Sequence, residues 1–433
     1  MKRTFFSGGL YRDALRQLKA FGIVFGVISA AISVAIVIIA YYSSIDPVSG
    51  QINFARIPPP SAALVAPVLL GIVFAGTLML IFRAFSFLTS RAASDLWHSL
   101  PGTRVSTAVS LVAAALTWLY GIITVTLLLT WATYAITGLP FNALYVPYLL
   151  LGYSAAATLV AGAALVGVSV TGTAFSAFIV MGLTLYLPRF VLLIYAHIVP
   201  VVAPVVYMSD MGLLGNPAFH LPSALTFALF DRLFGMGLIN TGMSELFVFK
   251  GGIAYTAALG AITLLLGVLL YRVRRSEIAG NSAPNRPMQH IFRCALTLPI
   301  LLIGAGMGLA RELNPSAKIV ILVLSMTVYF CYELITTRKA RSLLAAAPLY
   351  PAVVAATAAL ALIAAGVGDR LLHAIPSPGD VKSVCINVNA GYSDTPNYNE
   401  LMTERIRYED PVIAELLVDG LRKTVEHIKS DYR

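Results

Sequence analysis

Residues 146–168 read VPYLLLGYSAAATLVAGAALVGV and contain no charged side chain. A helix of about 20 apolar residues is long enough to cross the hydrocarbon core of a bilayer. Unpaired backbone amides and carbonyls are costly in hydrocarbon, so a single segment that crosses the bilayer does so as a helix. This stretch therefore predicts a transmembrane helix.

Comparable apolar stretches lie on both sides of this segment. The full set of predicted spans is 20–42, 62–82, 105–133, 146–168, 174–205, 252–271, 294–310, 319–335 and 347–366. The fifth span is too long for one straight crossing and contains Pro188, so we expect a broken or strongly tilted helix there. The sequence thus predicts an all-α polytopic membrane protein with about nine transmembrane helices.

The composition supports a membrane protein. Hydrophobic residues make up 58% of the chain and charged residues 12%, about half the charged share of soluble domains. The net charge of +10 does not indicate a nucleic-acid partner, because the basic residues cluster between apolar stretches. Cys294, Cys331 and Cys385 are too scattered to predict a disulfide framework or a zinc site.

The basic residues also predict an orientation. With a cytoplasmic N-terminus, inside segments carry roughly 16 Lys and Arg residues and outside segments roughly 5. Nine crossings then place the tail, residues 368–433, on the extracytoplasmic side. Within the tail, alternation in VKSVCINVN (381–389) predicts a strand, and DPVIAELLVDGLRKTVEHI (410–428) predicts a helix. We therefore expect a small α+β segment there.

The first 19 residues combine basic and apolar side chains at helical spacing. Leu10, Leu15 and Leu18 alternate with Arg12, Arg16 and Lys19. This pattern is typical of an amphipathic helix that lies in the cytoplasmic membrane interface. An ordinary positively charged flank of the first span explains it equally well.

The second connection, residues 83–104, reads RAFSFLTSRAASDLWHSLPGTR and is cytoplasmic by the charge rule. Pro101 and Gly102 favour a turn after a short helix, which gives a compact knob on the cytoplasmic face. His98 has no second His, Cys or carboxylate at ligand spacing, so we predict neither a metal site nor general-base chemistry.

Three polar residues within predicted spans are candidates for a translocation path, because polar groups are costly in hydrocarbon. They are Arg189, His197 and Glu333. For Arg189 the functional alternatives are a substrate path or a pair with a lipid phosphate, and we favour snorkelling or a partner on a neighbouring span over both. For Glu333 we expect a structural ion pair with Arg338 or Lys339 at the cytoplasmic boundary.

Three segments carry a resemblance to a known family, and one of them is the tail's pattern, SVCINV (383–388) followed by EDPVIAELLVDGLRKTVEHI (409–428). SDLWHSLPGTRVSTAVS (94–110) and CYELITTRKARSLL (331–344) resemble segments of the permease subunits of bacterial ATP-binding-cassette exporters, in the Gram-positive variant with extra C-terminal spans and an extracytoplasmic tail. The resemblance implies a six-span core at 20–271, three additional spans at 272–367, and an extracytoplasmic or re-entrant segment at 207–250. It also implies contact with a separate ATPase through Asp95, Trp97, His98, Leu100, Pro101 and Arg104.

The resemblance further implies a homodimer, or a heterodimer with a second permease, in the bacterial plasma membrane. The chain contains no G-x-x-x-x-G-K-[ST] motif, so we expect ATP and Mg²⁺ in the partner ATPase and neither catalysis nor a cofactor in this chain. A secondary transporter driven by an ion gradient and a membrane sensor or assembly protein are the alternatives. Few buried carboxylates argue against ion coupling.

Overall fold

A computed structural model describes residues 5–45, 66–99, 102–139, 145–202, 220–226, 250–309, 315–373, 375, 377–381, 384–385, 407–408 and 410–431. Within these ranges, eight helices are long and apolar enough to cross a bilayer. The chain is therefore an all-α polytopic membrane protein over its described part, as predicted.

The helices follow the predicted spans closely. The first seven are α1 (Gly8–Ser44), α2 (Ala66–Gly71), α3 (Thr77–Ala84), α4 (Arg91–Ser99), α5 (Arg104–Thr137), α6 (Tyr145–Val170) and α7 (Ala174–Val202). The others are α8 (Lys250–Val273), α9 (Arg286–Leu309), α10 (Pro315–Thr337), α11 (Arg341–Ala346), α12 (Leu349–His373) and α13 (Pro411–Asp431). Short 3₁₀ turns lie at Ser86–Thr89, Ser276–Ile278 and Pro378–Asp380. A π-helical turn, Ile72–Gly76, joins α2 and α3 into one helix.

The contacts of α1 argue that this joined helix is a further crossing. The Ser7 amide donates to the Ser110 hydroxyl at 3.0 Å, and Ser33 and Thr130 share a hydrogen bond of 2.7 Å. The residue later in α1 contacts the residue later in α5, so α1 and α5 run parallel. The chain must therefore cross back between them, and the apolar helix Val68–Ala84 is the element available to do so.

Residues 8–19 continue directly into the first span as part of α1. Since α1 has 37 residues, it is about 55 Å long and extends well beyond a bilayer core of about 30 Å. Its N-terminal part packs on α5, where the Trp118 indole donates to the Leu15 carbonyl at 3.2 Å. The predicted amphipathic segment is thus the first part of α1 and not a separate helix.

Helix α6 lies at the centre of the bundle because its small residues admit a close neighbour. A Cβ atom added to Gly162 would lie 2.8 Å from the Leu264 amide nitrogen, and one added to Gly260 would lie 3.0 Å from the Leu159 nitrogen. The Ser169 hydroxyl donates to the Gly267 carbonyl at 3.1 Å. Gly and Ala therefore bring α6 and α8 together, as the AAATLVAGAALVG pattern predicts.

Of the two possibilities expected for the fifth span, the break is not seen, and the strong tilt stays a prediction. Helix α7 runs from Ala174 to Val202 as one element and contains Pro188. A proline removes one helical hydrogen bond, and a membrane helix tolerates this when neighbouring groups satisfy the freed carbonyl. Of the predicted segment 207–250, only 220–226 and Lys250 lie within the described residues, and 221–226 is helical.

Contacts divide the chain into two units, which are treated separately. One comprises 1–192, 212–299 and 323–351, and the other 193–211, 300–322 and 352–433. In the second unit, α13 confirms the predicted tail helix. Val384–Cys385 pairs antiparallel with Arg407–Tyr408. A ladder of two residue pairs is too short for a sheet, so the predicted α+β tail is not supported; residues 386–406 lie outside the described part.

Candidate docking platform

Helix α4 is held in place by an aromatic cluster. Trp97 is half-buried and stacks on Phe87, with ring centroids 4.5 Å apart and an interplanar angle of 18°. Phe85 stacks on Phe87 and meets Tyr271 of α8 edge-on at 5.8 Å. Because aromatic pairs add stability beyond the area they bury, this cluster fixes α4 against the ends of α3 and α8.

The buried side chain of Arg274 links three segments. Its guanidinium donates to the carbonyls of Val168 at 2.5 Å, Ser169 at 3.1 Å, Leu88 at 3.0 Å, and also Thr171. The last carbonyls of a helix have no partner within it and carry partial negative charge. Arg274 therefore caps the C-terminus of α6 and ties it to the turn that precedes α4.

Arg274 remains a cation at neutral pH. Burial lowers the pKa of its guanidinium to about 10, which is still well above 7. The desolvation that lowers this pKa is offset by the four carbonyl oxygens around the charge.

Two further arginines and a close backbone contact complete the link. Arg104 donates to the carbonyls of Arg272 at 3.3 Å and Arg274 at 2.5 Å, and Arg91 donates to Ala279 at 3.4 Å. The Gly172 amide donates to the Asn281 carbonyl at 2.8 Å, and the Gly280 amide donates to the Gly172 carbonyl at 2.9 Å. Gly172 must lack a side chain, because a Cβ there would collide with the Ile278 carbonyl.

These contacts join residues 85–99, 102–104, 171–173 and 272–281 into one hydrogen-bonded surface, which we call the platform. Its outward face includes Asp95 and Leu96, and Leu96 is 65% exposed. Beside them lies a cleft of about 340 Å³ lined by Arg91, Asp95, Ser276, Glu277 and Asn281. An exposed leucine beside a polar cleft is suited to contact with another protein.

The predicted coupling residues divide into two groups. Asp95 is exposed, whereas Trp97 and Arg104 make the internal contacts described above. Leu100 and Pro101 lie outside the described residues, as does the side chain of His98. The role that the resemblance implies for this segment stays a prediction, and two of its residues, Trp97 and Arg104, make internal contacts of the platform.

Of the three candidate intramembrane residues, the two whose side chains are described, Arg189 and Glu333, have different partners. Arg189 is 7% exposed, and its guanidinium lies 5.3 Å from the Tyr255 ring centroid of α8. Glu333 pairs with Arg293 of α9, with Nη1 2.6 Å from Oε2. The side chain of His197 lies outside the described part.

The prediction that Glu333 pairs with Arg338 or Lys339 is wrong. Glu333 faces α9, whereas Arg338 ends α10 in a left-handed conformation with φ 55° and is exposed, as is Lys339. The spacing of Glu333, Arg338 and Lys339 along the chain predicts a local ion pair. The structure instead has an ion pair between α10 and α9. The flanking apolar residues of Arg293 (Ile291, Phe292 and Leu296) are the sequence signal that would have placed it inside the bundle.

No group of three His, Cys, Asp or Glu side chains within the described residues is arranged to hold a metal ion. In comparisons with known proteins, no protein-family model, no curated protein and no solved structure matches this chain. Its function is therefore inferred from its own residues and geometry.

Proposed function

We propose that this chain is the membrane-spanning subunit of an ATP-driven exporter and that a separate ATPase docks on the platform. The observation that carries the proposal is the buried Arg274 side chain, which connects the turn before α4 to the end of α6. Arg104 connects the start of α5 to the end of α8. A force applied to α4 is thereby passed to several spans at once.

The resemblance of residues 94–110 to the coupling segment of export permeases supports the same assignment. In this proposal the partner ATPase holds ATP and Mg²⁺, and the chain works as a dimer with a second copy or a second permease. Closure of the ATPases on ATP would push on α4, and the platform would move α5, α6 and α8 together. Ordered coupling of this kind requires a rigid connector, which the hydrogen bonds of Arg274 provide.

We also propose a bacterial plasma-membrane location with the N-terminus in the cytoplasm and the tail outside. The concentration of basic residues in the segments before α1 and α5 supports this orientation. In a variant with Cys294→Ser and Cys331→Ser, Cys385 should react with a membrane-impermeant maleimide in intact protoplasts. Reaction only after lysis would show that the tail lies in the cytoplasm and would contradict this orientation.

The exporter assignment is tested by purifying the tagged full chain from its native host in mild detergent. We expect a stoichiometric ATPase with a Walker lysine to accompany it. Leu96→Asp places a charge on the exposed face of the platform and should reduce recovery of the ATPase about tenfold, the effect of losing one significant interface residue. Leu416→Asp is the matched control, because Leu416 is 71% exposed on α13 of the tail.

Absence of an ATPase from intact, folded protein would contradict the proposal. Transport that then required an ion gradient would favour the secondary-transporter alternative and make Arg189 the first residue to probe. Equal loss of ATPase in Leu96→Asp and Leu416→Asp would place docking elsewhere.

A further inference from the structure

A second polar cavity borders the platform, with which it shares Gly280 and Asn281, and lies where α9 begins and where α10 ends next to α11. Its volume is about 930 Å³. Three cationic side chains line it: Arg286, Lys339 and Arg341. We call this cavity the basic cleft.

The one carboxylate that lines the basic cleft is already neutralised. Glu333 accepts from Arg293 at 2.6 Å and from the Gln289 amide at 3.2 Å. Within the part of the chain that the structure describes, Arg286, Lys339 and Arg341 form no ion pair. The cleft therefore presents about three uncompensated positive charges, which favour an anionic ligand.

The neutral residues of the cleft add hydrogen-bond donors. The His290 Nδ1 lies 2.8 Å from Nη2 of Arg293. A guanidinium can only donate, so Nδ1 accepts and the proton of neutral His290 is on Nε2, which makes that nitrogen a donor. Asn285 also lines the cleft and can donate through Nδ2, whereas the Gln289 amide and the Ser342 hydroxyl already donate to Glu333, Thr336 and the Lys339 carbonyl. Several donors and cations around one space suit a group with several oxygen atoms, such as a phosphate.

The cationic side chains are placed by a defined turn. The Arg338 amide donates to the Leu334 carbonyl at 2.8 Å, and the Thr337 and Ser342 hydroxyls are 2.7 Å apart. The Tyr329 hydroxyl donates to the Ala346 carbonyl at 3.0 Å, which fixes α11 against α10. Lys339 and Arg341 thus start from an ordered backbone, which lowers the entropy cost of binding.

The surroundings of the basic cleft match the edge of a bilayer. Leu334, Ile335 and Leu344 are 44%, 53% and 77% exposed, and they lie within a few residues of Lys339 and Arg341. Exposed aliphatic side chains beside a polar, cationic cleft reproduce the two halves of a phospholipid, its acyl chains and its headgroup.

We infer that the basic cleft binds the phosphate group of an anionic phospholipid. This assignment is independent of the proposed exporter function. The acyl chains would lie along the exposed apolar residues of α10 and α11, and the phosphate would be held by Arg286, Lys339 and Arg341.

The test compares two triple variants of the full chain, reconstituted in phosphatidylcholine with and without phosphatidylglycerol. One is Arg286→Gln/Lys339→Gln/Arg341→Gln. The control, Arg370→Gln/Arg422→Gln/Lys423→Gln, removes the same charge from exposed positions of α12 and α13. Native mass spectrometry measures retained phosphatidylglycerol, and thermal unfolding measures the stabilisation it gives.

We expect the unaltered chain and the control to retain phosphatidylglycerol and to unfold at a higher temperature in its presence. The basic-cleft variant should retain at least about tenfold less lipid, as expected from the loss of charge-assisted hydrogen bonds. No retention by the unaltered chain, or equal loss in both triple variants, would overturn the inference. Equal stabilisation by soluble glycerol phosphate would overturn the assignment to a lipid and leave a site for a soluble phosphate.

Discussion

Helices α6 and α10 have nearly the same hydropathy but very different environments. Their most apolar windows average 1.9 and 2.0, yet 78% of the first is buried within the protein and 22% of the second. Helix α6 is rich in Ala and Gly, whereas α10 exposes Ile319, Val320 and Val323. Hydropathy therefore predicts that a helix crosses the bilayer, and side-chain size predicts whether its neighbours are helices or lipid.

The two helices are also held by different forces. The surface of α6 approaches α8 so closely that added atoms at Gly162 or Gly267 would collide with neighbours. Helix α10 instead makes a few polar contacts, among them the Arg293–Glu333 pair and a hydrogen bond of 2.6 Å between Ser325 and Tyr350. Each polar contact of α10 should therefore matter more than any single contact of α6.

The largest expected effect is from breaking the buried pair of α10. Glu333→Leu leaves the Arg293 charge buried without its partner and should lower the free energy of unfolding by about 3–5 kcal/mol. The double variant Arg293→Met/Glu333→Leu should recover most of this loss, because no isolated charge remains. Urea titrations in mixed micelles measure the free energy of unfolding of both variants, and thermal unfolding in detergent gives a second comparison of their stabilities.

The matched control is Glu415→Leu, at an exposed position of α13. A surface change of this kind should alter stability by less than about 0.5 kcal/mol. If Glu333→Leu is as mild as Glu415→Leu, then the ion pair does not hold α9 and α10 together.

A smaller effect is expected from crowding the α6–α8 contact. Gly162→Ala adds a methyl group that would meet the backbone of Leu264 and the Thr263 hydroxyl, and overpacking of this kind costs about 1–3 kcal/mol. The same change at Gly121, which has open space around it, should be neutral or stabilise by up to about 1 kcal/mol. Equal unfolding temperatures for the two variants would contradict close packing at α6.

Much of the fold was predictable because hydropathy and length define a membrane span. The continuity of the helix that includes Pro188 was not predictable, because a proline can either break a membrane helix or be tolerated within it. The sequence also predicted the short helix before Pro101, which the structure gives as α4. It did not identify Arg274, because positions such as Arg272, Arg274 and Arg275 read equally well as positively charged flanks.

The difference between those three arginines arises only from tertiary contacts. Arg274 points into the protein, where helix-end carbonyls surround it, and Arg272 and Arg275 are exposed. The Arg293–Glu333 pair was missed for the same reason, because its residues are distant in sequence and meet only when α9 packs on α10. Arg274 is about 100 residues away in sequence from the end of α6 that it caps, so the sequence around either segment does not indicate the contact.

Photocrosslinking from the platform tests the account most directly. A benzophenone amino acid replaces Leu96 in the full chain in its native host, and the same replacement at Leu416 of the tail is the control. We predict that illumination links position 96, and not position 416, to a subunit that carries a Walker lysine. Crosslinks from position 96 only to lipid or to other proteins, with the chain intact in the membrane, would contradict an ATPase docked on the platform.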